Sequence, residues 1–190
     1  MIMKKHRPPL KDYTFDSRWT LFLDRDGVIN ERLPGDYVKE PGGFRFIEGA
    51  KEAIAGLSGI FGRIVIVTNQ QGIGKGLMTE DDLEEVHRFM QAGIGLAGGS
   101  ISAVYHSPHL EGERNEFRKP GTGMAMLAKR DFPEIDFRFS VMAGDMPTDL
   151  EFGSRLGMLR VLISDNAGRF LPGSYDYHFV SLYAFYRALL

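Results

Sequence analysis

Apolar runs that stop abruptly at polar residues, repeated along the chain, constrain this sequence more than any other feature. Residues 19–23 (WTLFL) end at Asp24, residues 63–67 (RIVIV) at Thr68, and residues 137–143 (FRFSVMA) at Gly144 and Asp145. Residues 101–105 and 159–163 read as two further strands. Between these lie helical stretches at 50–60, 79–96, 122–130 and 147–156. The longest opens on a Thr-Glu-Asp-Asp cap pattern and then sets Leu83, Val86, Phe89 and Met90 at helical spacing. Pro147 suits the first turn of its helix, where its missing N–H would be unpaired anyway. Strand and helix in alternation predict an α/β fold, a Rossmann-like, mainly parallel sheet with helices on both faces. The strands are continuous in Val, Ile and Leu rather than alternating, as burial on both sides requires.

Composition then removes whole classes of function. The 190 residues suit one domain, read here as residues 18–190 behind an N-terminal arm at 1–17, where Pro8 and Pro9 block a regular ladder. A net charge of −2 argues against nucleic acid held by bulk charge, and Lys4, Lys5, Arg7 and Lys11 read as a solvated face. The chain has no cysteine, which excludes disulfides, thiolate nucleophiles and cysteine-ligated metal centres. No apolar run approaches the ~20 residues of a membrane span, and no apolar segment follows the basic N-terminus. The expectation is a cytoplasmic protein with neither membrane nor nucleic acid as partner.

The placement of the polar residues carries the functional argument. In an open parallel α/β sheet, ligands bind outside the carboxyl ends of the strands. That rule brings Asp24, Asp26, Thr68, Asn69, Gln70, Asp145 and the Arg118-Lys119 pair toward one cleft. Carboxylates so grouped offer the hard oxygen ligands that Mg²⁺ takes. An aspartate can attack phosphorus to give an aspartyl-phosphate, and a second carboxyl can protonate the leaving oxygen and then activate water. Lysine and hydroxyl groups can stabilise the transferred phosphoryl group. Singly, each piece has a plainer reading: Asp26-Gly27 as a turn, Thr68-Asn69 as a helix cap, Lys119 as a loop lysine, Gly144-Asp145 as the cap of the next helix. Their ordered recurrence at four strand ends favours a site.

The segments LFLDRDGVIN, IVIVTNQQGIGKG, FRKPGTGM and VMAGDMPTDL resemble the four motifs of the haloacid-dehalogenase superfamily of phosphatases, over residues 21–163. Within it they are similar to the branch of the heptose bisphosphate and histidinol-phosphate phosphatases. The resemblance implies the haloacid-dehalogenase fold, with Asp24 as nucleophile and Mg²⁺ ligand. It makes Asp26 the general acid/base, with its backbone carbonyl on the metal. Thr68 and Lys119 would hold the transferred phosphoryl group, Asp145 would complete the metal site, and Asp149 would orient its water shell. Asn69 and Arg118 fall at positions implied to recognise substrate, with Gln70 beside them. The implied reaction is Mg²⁺-dependent hydrolysis of a phosphosugar such as D-glycero-D-manno-heptose 1,7-bisphosphate. Histidinol phosphate or another small phosphomonoester is the alternative substrate, and a degenerate phosphate-binding module the non-enzymatic alternative.

Two departures from that branch stand out. Its zinc loop, Cys-x-His followed by Cys-x-Cys, is matched here by Ser107, His109, Asn115 and Phe117, so no structural zinc is expected. Met146 stands where lysine usually follows Gly-Asp. The stretches at 27–50 and 72–100 are too short for an inserted cap domain, which predicts a capless enzyme. Specificity then falls to loops 30–46 and 106–118, whose Arg32, Lys39, Arg45, Arg114 and Arg118 are candidates to grip a second anionic group. Residues 72–76 (GIGKG) lack the spacing of a nucleotide-binding loop and are assigned to shaping the phosphate pocket, with Lys75 either a rim cation or solvated. Phe132, Phe137 and Phe139 are assigned to the core. The aromatic tail at 175–186 is assigned to the sheet or a dimer contact, in a monomer or weak dimer.

Overall fold

The computed structural model of the protein describes residues 7–190, so Lys4 and Lys5 lie outside the described residues. The strands are β1 (Thr20–Leu23), β2 (Arg63–Asn69), β3 (Ala103–Ser107), β4 (Ser140–Gly144), β5 (Leu159–Ile163) and β6 (Tyr177–Phe179). They form one sheet in the order β3-β2-β1-β4-β5-β6, and every neighbouring pair is parallel. The helices are α1 (Ala50–Ser58), the short α2 (Gln71–Gly74), the long α3 (Glu80–Leu96), α4 (Gly123–Asp131), α5 (Pro147–Arg155) and α6 (Leu182–Arg187).

Alternation along the strands divides the core in two. Leu21, Leu23, Ile64 and Ile66 pack with Ile54 and Leu57 of α1, Val86 and Met90 of α3, and Phe185 of α6. Phe22, Val65, Val67 and Met142 point the other way, onto Met124 and Ala128 of α4 and Phe152 of α5. Each of these side chains larger than alanine, buried from water, contributes about 1.5–3 kcal/mol. Two covered faces explain strands that are apolar at every position. The capping box read at the start of α3 is formed, with Thr79 Oγ1 accepting from Asp82 N and Asp82 Oδ2 accepting from Thr79 N.

The topology places the site. The chain starts at the centre with β1, steps out through β2 and β3, then returns to lay β4 against the other side of β1. The strand order reverses between β1 and β4, where an open sheet leaves a crevice at its carboxyl edge. Leu23 is in register with Ala143, so Asp24 and Asp145 emerge on either side of that crevice.

Some expectations shift. The third strand runs two residues later than read. Phe137–Phe139 is a 3-10 turn capped by the Asp136 side chain, and Phe139 lies partly exposed over Trp19 rather than in the core. The glycine-rich 72–76 stretch includes most of a helical turn, α2. The tail supplies both β6, which pairs with β5, and α6, which docks on α1. From Pro8 the expected arm is a strap: Leu10, Tyr13 and Phe15 pack on the core, and Tyr177 donates its hydroxyl to the Pro8 carbonyl. Reading prolines and charges alone overlooked the cluster that Tyr13 and Phe15 make with Trp19, with ring centroids 5.9 and 4.8 Å away. Between β1 and α1 there is only loop and a 3-10 turn, and between β2 and β3 only α2 and α3, so no inserted cap stands over the edge among the described residues. No described helix is long and apolar enough to cross a membrane.

Candidate active site

The deepest part of the cleft is a buried ion cluster. Lys119 Nζ donates to Asp24 Oδ1 at 2.8 Å and to the Val67 carbonyl at 2.7 Å. Asp149 Oδ1 lies 2.6 Å from the same nitrogen, an ion pair off the hydrogen-bond direction, while its Oδ2 accepts Met146 N at the start of α5. Burial, against the pull of Lys119 and with the push of Asp149, Asp145 and Asp26, raises Asp24 to about 7. Burial opposes the Lys119 charge too, but Asp149 and Asp24 outweigh it and hold the ammonium charged. Asn69 clamps the backbone of Lys119 from both ends, accepting from its N–H and donating to its carbonyl at 2.9 and 3.1 Å.

Asp26 sits in a second network. Its carboxylate accepts from Arg25 NH2 at 2.9 Å to each oxygen, from Asn30 Nδ2 at 2.9 Å and from Gln70 Nε2 at 2.8 Å. Burial raises its pKa, but Arg25 and then the hydrogen bonds from Asn30, Arg25 and Gln70 prevail and hold it below the usual carboxylate range. Gln70 also donates to Thr68 Oγ1 at 2.8 Å, which leaves the threonine O–H free to point at a ligand. So Asn69 and Gln70, both at or beside implied substrate positions, bond other site residues. Arg118 lines the cleft, with NH1 on the His109 carbonyl.

Asp145 faces Asp24 across the switch point, and a cation bridges them. Arg32 NH2 donates to Asp145 Oδ1 and to the Asp26 carbonyl, both at 2.8 Å, and stands 3.8 Å from Asp24 Oδ2. Burial pushes Asp145 up to about 6, against the pull of Arg32. Oxygens of Asp24, Asp145 and Asp149 lie within 4.8 Å of one another. Two glycines permit this crowding. A β-carbon on Gly27, whose φ is +90°, would strike the Asp145 carboxylate, and one on Gly144 would strike Asp149.

The cleft above measures ≈ 1080 Å³ and is lined by Arg114, Arg118, Lys75 and Arg32 among others. Lys39 and Arg45, expected to help grip an anion, stand outside it: Lys39 pairs with Asp36, and Arg45 binds the Gly42 carbonyl. Lys75 is a rim cation, donating to the Tyr37 hydroxyl at 2.9 Å. The loop after β3 is closed by its own groups. His109 Nδ1 and Leu110 N both meet Glu113 Oε2 at 3.2 Å, and Asn115 Oδ1 accepts from Phe117 N. Sequence reasoning missed Arg25 and Asn30. Their signal was present in Asp-Arg-Asp-Gly-Val-Ile-Asn, where an arginine separates two carboxylates and an amide closes the turn.

A parallel sheet that gathers Asp24, Asp26, Thr68, Lys119 and Asp145 at its switch point defines the class, a phosphatase of the haloacid-dehalogenase type. No protein-family model matches the chain. It is 40% identical over 134 residues to a D-glycero-alpha-D-manno-heptose-1,7-bisphosphate 7-phosphatase of Mycobacterium bovis, covering 70% of each chain. It is 37% identical over 145 residues to a D-glycero-beta-D-manno-heptose-1,7-bisphosphate 7-phosphatase of Vibrio cholerae, covering 73% of this chain and 76% of that one. Its fold matches a crystal structure of D,D-heptose 1,7-bisphosphate phosphatase from B. bronchiseptica, complexed with magnesium and phosphate. That match has a TM-score of 0.81 at 28% identity, over 90% of this chain and 97% of the other. The chain belongs to the haloacid-dehalogenase superfamily of phosphatases, in the branch of the heptose bisphosphate phosphatases.

Proposed function

We propose that the protein is a Mg²⁺-dependent phosphomonoesterase that works through an aspartyl-phosphate on Asp24, with D-glycero-D-manno-heptose 1,7-bisphosphate as its substrate and the 7-phosphate as the group removed. The observation that supports this most is the pairing of Asp24 and Asp26 at one strand end with opposite surroundings. Asp24 sits in a cluster of carboxylates, while Asp26 is held by three donor side chains. The donor set fits a divalent cation, because the Arg32 guanidinium already joins Asp24, the Asp26 carbonyl and Asp145 as a positive group among these oxygens. Those three would hold Mg²⁺. When bound it would screen the charge between the Asp24 carboxylate and an anionic phosphate.

The chain's own residues account for the rest. An Asp24 oxygen attacks phosphorus, and the bond from phosphorus to the leaving sugar oxygen breaks as Asp26 gives that oxygen a proton. Asp26 then takes a proton from water as the water attacks the same phosphorus, and the bond to Asp24 breaks to restore the carboxylate. The three donors stabilise the carboxylate form, so Asp26 gives its proton up readily in the first half, and the proton it takes from water in the second restores the acid. The Lys119 ammonium, brought beside Asp24 by the loop before α4, and the free Thr68 hydroxyl at the end of β2 would meet the phosphoryl oxygens. The cleft-lining Arg114 and Arg118 face the remainder of an anionic substrate. The loop at 107–118 is read as zinc-free, and stoichiometric zinc at His109 in metal analysis would overturn that. The same reading makes the enzyme a cytoplasmic monomer or weak dimer.

The test is phosphate release from a panel holding both anomers of the heptose bisphosphate, histidinol phosphate and simple sugar phosphates. The wild type is expected to prefer the heptose and to lose activity to a chelator, with Mg²⁺ restoring it. Asp24→Asn is expected to lower turnover at least roughly a thousandfold. Activity that survives this change would sink the mechanism, and preference for histidinol phosphate would change the substrate.

A further inference from the structure

We propose that His87 is a positioning residue for the reaction, acting through Arg25 on the carboxylate of Asp26. The inference rests on reading Asp26 as the acid and base of the phosphatase. Arg25 is fully buried, and its NH2 lies 2.9 Å from both oxygens of Asp26. Its NH1 lies 3.2 Å from Nε2 of His87, sixty-two residues away on α3. A guanidinium only donates, so this contact needs a neutral His87 with its proton on Nδ1 and its lone pair on Nε2. Burial, then the charge of Arg25, keeps the ring neutral and pushes its pKa down to about 3. The neighbouring His106 does not compete for Arg25, because its Nε2 is turned to Glu80 Oε2 at 2.7 Å.

Among the described residues, His87 is the only acceptor that the Arg25 side chain meets besides Asp26, and the Nε of Arg25 is buried without a partner. A planar fork held at both tips cannot turn about its own axis. Freed at NH1 it can, and the pair of bonds to Asp26 turns with it. Asn30 and Gln70 still hold the two Asp26 oxygens from elsewhere, so loss of His87 misaligns the carboxylate without releasing it. Lys119, read as a holder of the phosphoryl group, lies outside this chain of bonds, and Thr68 meets it only through Gln70, which keeps its own bond to Thr68 Oγ1. The effect therefore falls on proton transfer and not on binding.

The experiment compares His87→Leu and His87→Phe, which lack the acceptor, with His87→Gln, whose amide oxygen can replace it. Folded enzyme with Mg²⁺ is assayed on its preferred sugar phosphate and on p-nitrophenyl phosphate, whose leaving group departs without a proton. On the sugar phosphate, the Leu and Phe variants are expected to lose roughly 10- to 100-fold in kcat, with KM within about twofold. The burst of p-nitrophenolate should stay within about threefold of wild type, and His87→Gln should recover much of the loss. Equal losses on both substrates, no loss, or a Gln variant no better than Leu would overturn the proposal. Asp24→Asn and Asp26→Asn run alongside. If Asp24→Asn stays active, or Asp26→Asn fails to distinguish the two substrates, the reading of the site falls and the proposal with it. If both behave as expected and the His87 variants do not, only the proposal falls.

Discussion

The floor of the cleft and its rim hold their charges in different ways. On the floor, Lys119 is tied to residues 95 positions away at Asp24 and 52 away at Val67, and Arg25 to His87 across 62. On the rim, Arg118 reaches back only nine residues to the His109 carbonyl, and in the loops outside the cleft Lys39 pairs with Asp36 and Arg45 with the Gly42 carbonyl, each three residues away. Floor charges are out of water, so each depends on partners the fold delivers, and removing one strands the rest. Rim charges stay solvated and exchange partners at little cost. On the proposed function the contrast separates two tasks: the floor would fix which bond is made, and the rim would be free to vary in which molecule is held.

The largest effect that would test this contrast is at Lys119. Lys119→Met leaves Asp24 and Asp149 buried without their cation and should cost about 3–5 kcal/mol in urea unfolding at neutral pH. Arg118→Met on the rim should cost less than about 1 kcal/mol. Equal costs would erase the distinction.

His87 gives a smaller effect and a sign. Its folded pKa is lowered to about 3 by burial and then by Arg25, against an ordinary value of 6.5. Between those values the unfolded chain takes up the proton and the folded one does not. The stability His87 permits is thus complete above about pH 6.5 and lost as pH falls toward 3, by at most about 1.4 kcal/mol per unit. His87→Gln should flatten the unfolding profile across that window. An unchanged slope would place the ring in a more open setting than the floor provides.

The same contrast explains what the sequence disclosed. Asp24, Thr68 and Asp145 were legible because an apolar strand must stop somewhere, and a polar residue at the stop of a parallel strand faces the crevice. The order of elements from β1 to β5 followed from the same runs. β6 was not legible, since Tyr177–Phe179 is three partly buried residues with a histidine at the centre and owes its form to pairing with β5. Arg25 and His87 were not legible as a pair, because nothing local links a loop arginine to a helix position sixty-two residues on. Nor was the direction of the rim arginines, which depends on where each loop turns.

Arg32 breaks the division, being a loop residue whose head group lies on the floor. If its guanidinium stands where a divalent ion would share the same oxygens, the two compete. Arg32→Ala should then tighten Mg²⁺ or Mn²⁺ binding about tenfold in calorimetric titration, the equivalent of ~1.4 kcal/mol of relieved competition. Weaker binding would make Arg32 a support of the carboxylates and not a rival to the ion.

The smallest effect belongs to Lys75. Its ammonium lies on the rim, 2.9 Å from the Tyr37 hydroxyl and 5.4 Å from the centre of that ring. Tyr37 in turn packs on Gly72, so the lysine is tied to the wall of the cleft and not to its floor. Removing it leaves every floor contact in place and takes away one solvated positive charge near an incoming anion. Lys75→Ala should raise KM about two- to threefold, leave kcat unchanged, and lose even that difference at high salt. A fall in kcat would mean that the rim reaches the reacting atoms. Chemistry and selection would then share residues that this structure keeps apart.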